Sequence, residues 1–475
     1  MSVATASQAD GVAGLQTRYF AALAWIGGAW ARDVLLSAGS DGNWSGCEPG
    51  ADPCDAVRLT GPVLPALVNA HSHAFQRAMA GFTEQRAAGA NATDDFWSWR
   101  ERMYAVANRI TPAQMEAIAS FLYAELLAGG YTQVCEFHYL HNDLDGAAYA
   151  DPGEMALALV RAAARVGIGL TLLPTLYMRS GFAATGLAPE QRRFASTPDG
   201  VMRLAEDIAR QAGPLTNAGV AIHSLRAVPP GALDEVAQAA VDADLPLHIH
   251  VAEQEQEVMD CIAHTGRRPL EWLLARAAPA ERWNLVHATH ANRAELADAR
   301  TAGAAVVLCP ATEANLGDGV FDLPAYAGGI WSIGSDSHVN RAWPLELQTL
   351  EYMQRAALRR RNVAARCMPS ASSATALYEA ALAGGRQATA CALGGIAPGN
   401  RADFLVLDGG AQSLAGVPDR HLLDALVFST PGAGFAEVHV AGRRVISTRG
   451  QEACATSGMP ELKREFIAAM RALQA

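Results

Sequence analysis

His71 and His73 stand one residue apart in NAHSHAF, at the end of an apolar run. Residues two apart on a strand face the same way, so the two imidazoles project together. Such a pair suits a divalent ion, which histidine ligates through a neutral ring nitrogen at about 2.0 to 2.1 Å when the ion is zinc. Taken alone, the pair fits two hydrogen-bonded histidines equally well. Further along, LPLHIHVAE supplies His250 and IGSDSHV supplies Asp336, so three nitrogens and one carboxylate come from three separate segments. A set of that size leaves a coordination position open for water, as catalytic zinc requires. Two alternatives stay open: His248 as the ligand in place of His250, and Asp336 as a cap on the segment that follows it.

Glu253 lies three residues past His250, and His287 ends the next run, LVHATH. A carboxylate beside an activated water can carry its proton to a leaving group, and a second imidazole can orient or deprotonate that water. Glu253 could instead face solvent, and His287 could be a core histidine bonded to a carbonyl. Lys463 is the only lysine. A carboxylated lysine bridging two metals is therefore excluded, and one ion is expected.

These groups need a scaffold that brings distant strand ends to one place. Eight apolar runs occur, at 63–73, 131–139, 167–177, 218–227, 245–253, 283–290, 304–317 and 330–339. Between them lie helix-period stretches such as TPAQMEAIASFLYAELLAGG and PPGALDEVAQAAVDAD, opened by Thr or Pro signals. Strand and helix alternating eight times, with strands apolar on both faces, predicts a TIM-type (β/α)8 barrel over 61–396. An open doubly wound sheet is the alternative. Polar residues gather at the C-terminal ends of nearly all the runs, and a closed barrel collects all those ends at one mouth. Residues 1–60 and 397–475 carry short alternating runs (RYFAALAWI, DFLVLDGG, AEVHVAGRRVIS) broken by turn residues. They predict a small β-sandwich domain built from both chain ends, followed by a C-terminal helix in PELKREFIAAMRALQ.

The chain has 475 residues, 37 basic against 48 acidic, a net charge of -11 and 50% hydrophobic content. That composition argues for a globular protein with a large core. An acidic balance without a basic cluster argues against nucleic-acid or anionic-membrane partners. No stretch reaches the ~18 apolar residues of a spanning helix, and the first twenty residues do not read as a secretion signal, so a soluble cytoplasmic protein is expected. Eight cysteines without a CxxC pair are read as reduced thiols.

HSH, HIHVAE, VHATH and GSDSH, in that order, resemble the amidohydrolase superfamily and its mononuclear deaminase branch, across nearly the whole chain. The longer strings NAHSHAFQRAMAG, FWSWRERMY, EFHYLHNDLDG, HSLRAV and TEANLGDG are similar to those of the formimidoylglutamate deiminase family of bacterial histidine degradation. The resemblance implies one divalent metal per subunit, zinc first, on His71, His73, His250 and Asp336. It implies proton handling by Glu253, His287 and Asp336. Substrate would be held by Gln76, Arg100, Tyr139, His223 and Arg226, and the protein would be a homodimer.

The substrate so implied, formiminoglutamate, carries two carboxylates and a cationic formimino group. An arginine fork pairs with a carboxylate through two parallel hydrogen bonds, and Arg100, in what reads as a loop, and Arg226, past His223, are placed for it. Each could instead make an ordinary surface salt bridge. The reaction expected is attack of the activated water on the formimino carbon, with Glu253 passing a proton to nitrogen as ammonia leaves. An aminohydrolase of a purine or triazine ring, with an aromatic slot replacing the arginines, and a non-catalytic barrel scaffold are the competing readings.

Overall fold

The computed structural model describes residues 16–86, 94–211, 213–430, 434–448 and 458–474. Residues 1–15 of the expected N-terminal domain lie outside them. Strands β1 (Thr17–Ile26), β2 (Ala29–Ala38), β3 (Trp44–Glu48), β4 (Val57–Arg58) and β5 (Val63–Pro65) come first. They are followed by β6 (Leu67–Ser72), β7 (Tyr131–His138), β8 (Gly169–Leu176), β9 (Thr216–Ala218), β10 (Val220–Ser224), β11 (Leu247–Val251), β12 (Trp283–His287), β13 (Ala305–Leu308) and β14 (Trp331–Ile333). Last are β15 (Phe404–Leu407), β16 (Phe435–Val440) and β17 (Arg443–Ser447).

The barrel runs β6-β7-β8-β10-β11-β12-β13-β14, every pair parallel, with β9 paired to the side of β8. Each of the eight falls inside one of the apolar runs. They are buried throughout, as strands covered by helices outside and side chains inside must be. The ring closes through the site itself. Ser72 bridges Asp336, the Asp336 amide donates to His71 O at 3.0 Å, and the His73 amide donates to Asp336 O at 3.3 Å. An open doubly wound sheet is thereby ruled out.

The other sheet has the order β17-β16-β15-β5-β1-β2-β3, with β4 beside β1, so both chain ends build it. Its β3 end turns back on the residues before β15: the Trp44 amide donates to Asn400 O and the Gly399 amide to Trp44 O, both at 2.8 Å. Tyr19, Trp44, Val63 and Phe404 form its own core. One expectation needs correcting. The run 63–73, read as a single barrel strand, is two strands: β5 pairs with β15 and β1 in the small sheet, and the barrel starts at β6. Continuous apolar character cannot mark that break, because both sheets bury the segment completely.

The C-terminal helix Met459–Gln474 docks on the barrel helix Pro112–Ala128, where Phe466 stacks on Phe121 at 4.6 Å between ring centres. Thr111 caps that barrel helix in a reciprocal pair with Gln114, and Pro112 opens it, the start signal that the sequence carries. No helix among the described residues is long and apolar enough to cross a membrane. The seven described cysteines are free thiols.

Candidate active site

His71 and His73 leave the end of β6, His250 lies near the end of β11, His287 ends β12, and Asp336 follows β14. The backbone there is unusual. Ala252, His287, Ala288, Asp336 and His338 all have positive φ, between 49° and 67° except for Asp336 at 44°. Left-handed backbone in non-glycine residues costs free energy and persists only where the surroundings impose it, commonly at functional sites.

The imidazoles converge. His71 Nε2 lies 3.1 Å from His73 Nε2 and 3.0 Å from His250 Nε2, while Asp336 Oδ1 is 3.6 Å from His71 Nε2 and 3.4 Å from His73 Nε2. Their tautomers follow from the other ring nitrogen. His73 Nδ1 meets Phe137 O and His250 Nδ1 meets His223 O, both at 2.9 Å. A carbonyl only accepts, so both Nδ1 atoms carry the proton and both Nε2 atoms present lone pairs. Lone pairs and a carboxylate oxygen facing one another at about 3 Å repel unless a cation lies among them. The donor set therefore fits a divalent-metal site. Burial, with the neighbouring histidines, holds the His71 and His250 imidazoles well below their ordinary value, and burial takes His73 down to about 3. Neutral imidazole is the ligating form. His248 turns the other way, its Nε2 against Ala388 O at 2.9 Å, so His250 is the member of HIH in the cluster.

His287 stands beside this set, its Nε2 3.8 Å from Asp336 Oδ2 and 3.7 Å from Glu253 Oε1. Its Nδ1 faces Glu313 Oε1 at 3.2 Å, not a carbonyl. Burial alone would lower its pKa, yet Glu253 together with Cys309 and Glu313 lifts it well above the ordinary value. Burial pushes the Asp336 carboxyl up to about 7. Glu253 is buried rather than solvent-facing. Its amide and that of Ala252 both donate to the Glu257 carboxylate at 3.1 Å, which fixes the loop after β11.

A cavity opens above these groups, lined by Gln76, Arg100, Tyr139, His223 and Arg226 along with His73, His250, Glu253, His287 and Asp336. Arg100 lies on the helix Phe96–Ala107, not in a loop. Asp95 and Ser98 cap that helix reciprocally, a signal hidden under the aromatic density of FWSWR. The guanidinium of Arg100 sits 4.4 Å over the Trp97 ring and that of Arg226 is 5.9 Å from it. Arg100 Nε and Nη1, Arg226 Nη1 and Gln76 Oε1 are buried without a hydrogen-bond partner among the described residues. Surface salt bridges thus do not account for either arginine. Burial, then Arg226, lowers the pKa of Arg100, while against burial that of Arg226 is raised by Tyr177 and the Glu257 and Glu253 carboxylates. Gln76 Nε2 donates to Tyr139 Oη at 3.1 Å.

All eleven expected residues meet at this one cavity or at the donor set beneath it. Tyr104, Tyr177, Glu313 and Cys309 were not anticipated. Tyr104 and Tyr177 line the cavity, and Cys309 clusters with His287 and Asp336. Tyr104 falls one helical turn after Arg100, a spacing that becomes informative only once FWSWRERMY is read as a helix.

A protein-family model described as "Amidohydrolase family" matches residues 63–445. A formimidoylglutamate deiminase of Pseudomonas aeruginosa is 47% identical over 433 residues, covering 90% of this chain and 94% of the relative. Among solved structures, an amidohydrolase from Brucella melitensis superposes with a TM-score of 0.88 at 40% identity, over 97% of this chain and 100% of that one. An adenosine deaminase from Xanthomonas campestris with bound zinc shares the fold, with a TM-score of 0.78 at 21% identity over 96% of this chain and 98% of that one. The strand-end donor set and these likenesses agree: the chain belongs to the amidohydrolase family, as a C–N hydrolase of the formimidoylglutamate deiminase type.

Proposed function

We propose that the protein hydrolyses N-formimino-L-glutamate to N-formyl-L-glutamate and ammonia. The observation that carries this reading is the set of guanidinium nitrogens, Arg100 Nε and Nη1 and Arg226 Nη1, buried without a hydrogen-bond partner among the described residues, on two residues that line the same cavity as the metal donors. Guanidinium N–H groups buried without an acceptor are costly, so the cavity calls for an anionic guest. A guest that carries two carboxylates and a hydrolysable amidine matches it.

In this reading one zinc ion per subunit is held by His71, His73, His250 and Asp336. The zinc in the Xanthomonas deaminase of the same fold supports the choice of ion. A divalent ion held there would polarise a water molecule and lower its pKa towards about 7. The chain's own groups then do the following. Arg100 and Arg226 take the carboxylates, and Gln76, Tyr139 and His223 orient the formimino end. Glu253 receives a proton from the attacking water and delivers it to the terminal nitrogen. His287, held by Glu313, stands between the Glu253 and Asp336 carboxylates and balances their charge as protons move. The water oxygen bonds to the formimino carbon, its remaining proton passes to the Asp336 carboxylate as the formyl C=O forms, the bond from that carbon to the terminal nitrogen breaks, and ammonia departs. The reading includes a cytoplasmic location and, as the family resemblance implies, a homodimer, and a purified protein that sediments only as a monomer removes the latter.

Ammonia release on formiminoglutamate, guanine and adenosine, with the metal content measured on the same sample, tests the reading. Turnover of formiminoglutamate alone is the expected result. Activity confined to the ring amines overturns it, and a chain holding far less than one divalent ion per subunit favours a non-catalytic scaffold.

A further inference from the structure

Gln191 lies outside the cavity lining but controls two residues within it. It belongs to the short helix Pro189–Phe194 and is almost completely buried. Its Oε1 accepts from the Ala188 amide at 3.1 Å, which settles which end of the side chain is oxygen. Nε2 therefore donates both hydrogens, one to Tyr104 Oη and one to Tyr177 Oη, each at 2.9 Å. Both phenol oxygens are thus acceptors towards Gln191, and each still has its own hydrogen to place. At most one of the two hydrogens can be absorbed by the other tyrosine. The cations beside them, Arg100 and Arg226, only donate.

Donors are in excess. Arg100 Nε and Nη1 and Arg226 Nη1 are buried without a partner beside at least one phenol hydrogen, against one orphaned acceptor in the cavity lining among the described residues, Gln76 Oε1, and the Glu253 carboxylate that faces His287. We propose that Gln191 is a positioning residue that turns Tyr104 and Tyr177 into hydrogen-bond donors, completing with the two arginines a carboxylate clamp that sets substrate specificity. This rests on the dicarboxylate reading of the same cavity and deepens it. The clamp reads an anion of planar, acceptor-only character. A neutral amide at the same place would set its own N–H groups against the arginines and leave them unpaired.

The test uses the metal-loaded protein and two readouts, steady-state kinetics on formiminoglutamate and calorimetric binding of glutarate, a plain dicarboxylate that needs no turnover. A hydrogen bond to a charged group contributes enough that losing one weakens binding by about tenfold or more. Tyr104→Phe and Tyr177→Phe together are expected to raise KM and the glutarate Kd by at least that factor, with kcat changed far less. Gln191→Met is expected to weaken both in the wild-type background and to add nothing in the Tyr104→Phe/Tyr177→Phe background, because its effect runs through the hydroxyls. A Gln191→Met penalty that persists without the hydroxyls, or unchanged glutarate binding in the double tyrosine variant, overturns the proposal. If the wild type binds glutarate with these dependences but does not turn over formiminoglutamate, the clamp stands and the reaction assignment fails.

Discussion

Glu253 and His287 divide the proton work because their surroundings differ. Glu253 Oε1 faces the His287 ring at 3.7 Å, while Glu313 holds the other side of that ring. Glu253→Gln preserves shape and removes the proton acceptor. It is expected to keep its metal and lose at least about a hundredfold in turnover, the low end for general acid–base catalysis; metal analysis beside ammonia release measures both, and near-normal turnover removes the relay. At this scale the sequence was most informative where chemistry-bearing residues sit on strands. A two-residue period puts His71 and His73 on one face, and residues such as histidine and aspartate at strand ends have few structural duties. Gln191 was illegible for the opposite reason. A glutamine before two arginines in a helix of six residues shows no period, and its partners lie 87 and 14 positions away.

Elements position these residues by approaching each other closely. The helix Ser373–Thr389 packs on β14 through Gly384, where an added Cβ would fall 2.0 Å from Trp331 O. No rotamer change relieves a clash with backbone, so Gly384→Ala must push the helix off the strand that leads to Asp336. A loss of about 1 to 3 kcal/mol is expected, with weaker metal retention, read by denaturant midpoint and by metal content after dialysis. A second contact is electrostatic. Glu346, on the helix Trp343–Leu358, accepts the Ala311 amide with one carboxylate oxygen at 2.9 Å and leaves the other buried without a partner among the described residues. Burial pushes its pKa up to about 8 from 4.5. The folded value is raised, so the stability that this carboxyl contributes is full below about pH 4.5 and is lost as pH rises to about 8. Glu346→Gln keeps the acceptor and removes the titration. It should melt close to the wild type at pH 4.5 and above it at pH 8, by up to a few kcal/mol. A gap that does not change with pH refutes the buried-acid argument. The alternating pattern showed that these helices exist, whereas the contacts between them depend on a single missing methyl group or a single buried carboxyl, which periodicity does not register.

At the scale of the whole molecule, the small sheet and the metal donors grip opposite ends of the same strand. Arg401, ahead of β15, pairs with Asp403 through two bonds of 2.9 and 2.6 Å and donates to Gln133 Oε1 at 2.9 Å and Thr132 O at 3.3 Å, at the start of β7. Phe137 O, near the other end of β7, receives His73 Nδ1. Five residues of strand separate the two anchor points by about 16 Å. The split domain was legible from alternating runs at both chain ends, but this latch was not, since one arginine among many gives no sign of reaching under the barrel. Arg401→Met leaves Asp403 buried with its charge unpaired by Arg401, at a cost of about 3 kcal/mol or more. Chelation removes a stabilisation of about 4 kcal/mol when the free ion stands a thousandfold above its Kd. The two sites share no partner and lie farther apart than the range over which effects usually couple. Thermal melts of wild type and Arg401→Met, each with and without chelator, should therefore give losses that add, while kcat of the metal-loaded variant stays near that of the wild type. A chelator effect that shrinks or grows in Arg401→Met would mean that β7 transmits strain between the two ends of the barrel and does not act as a rigid spacer.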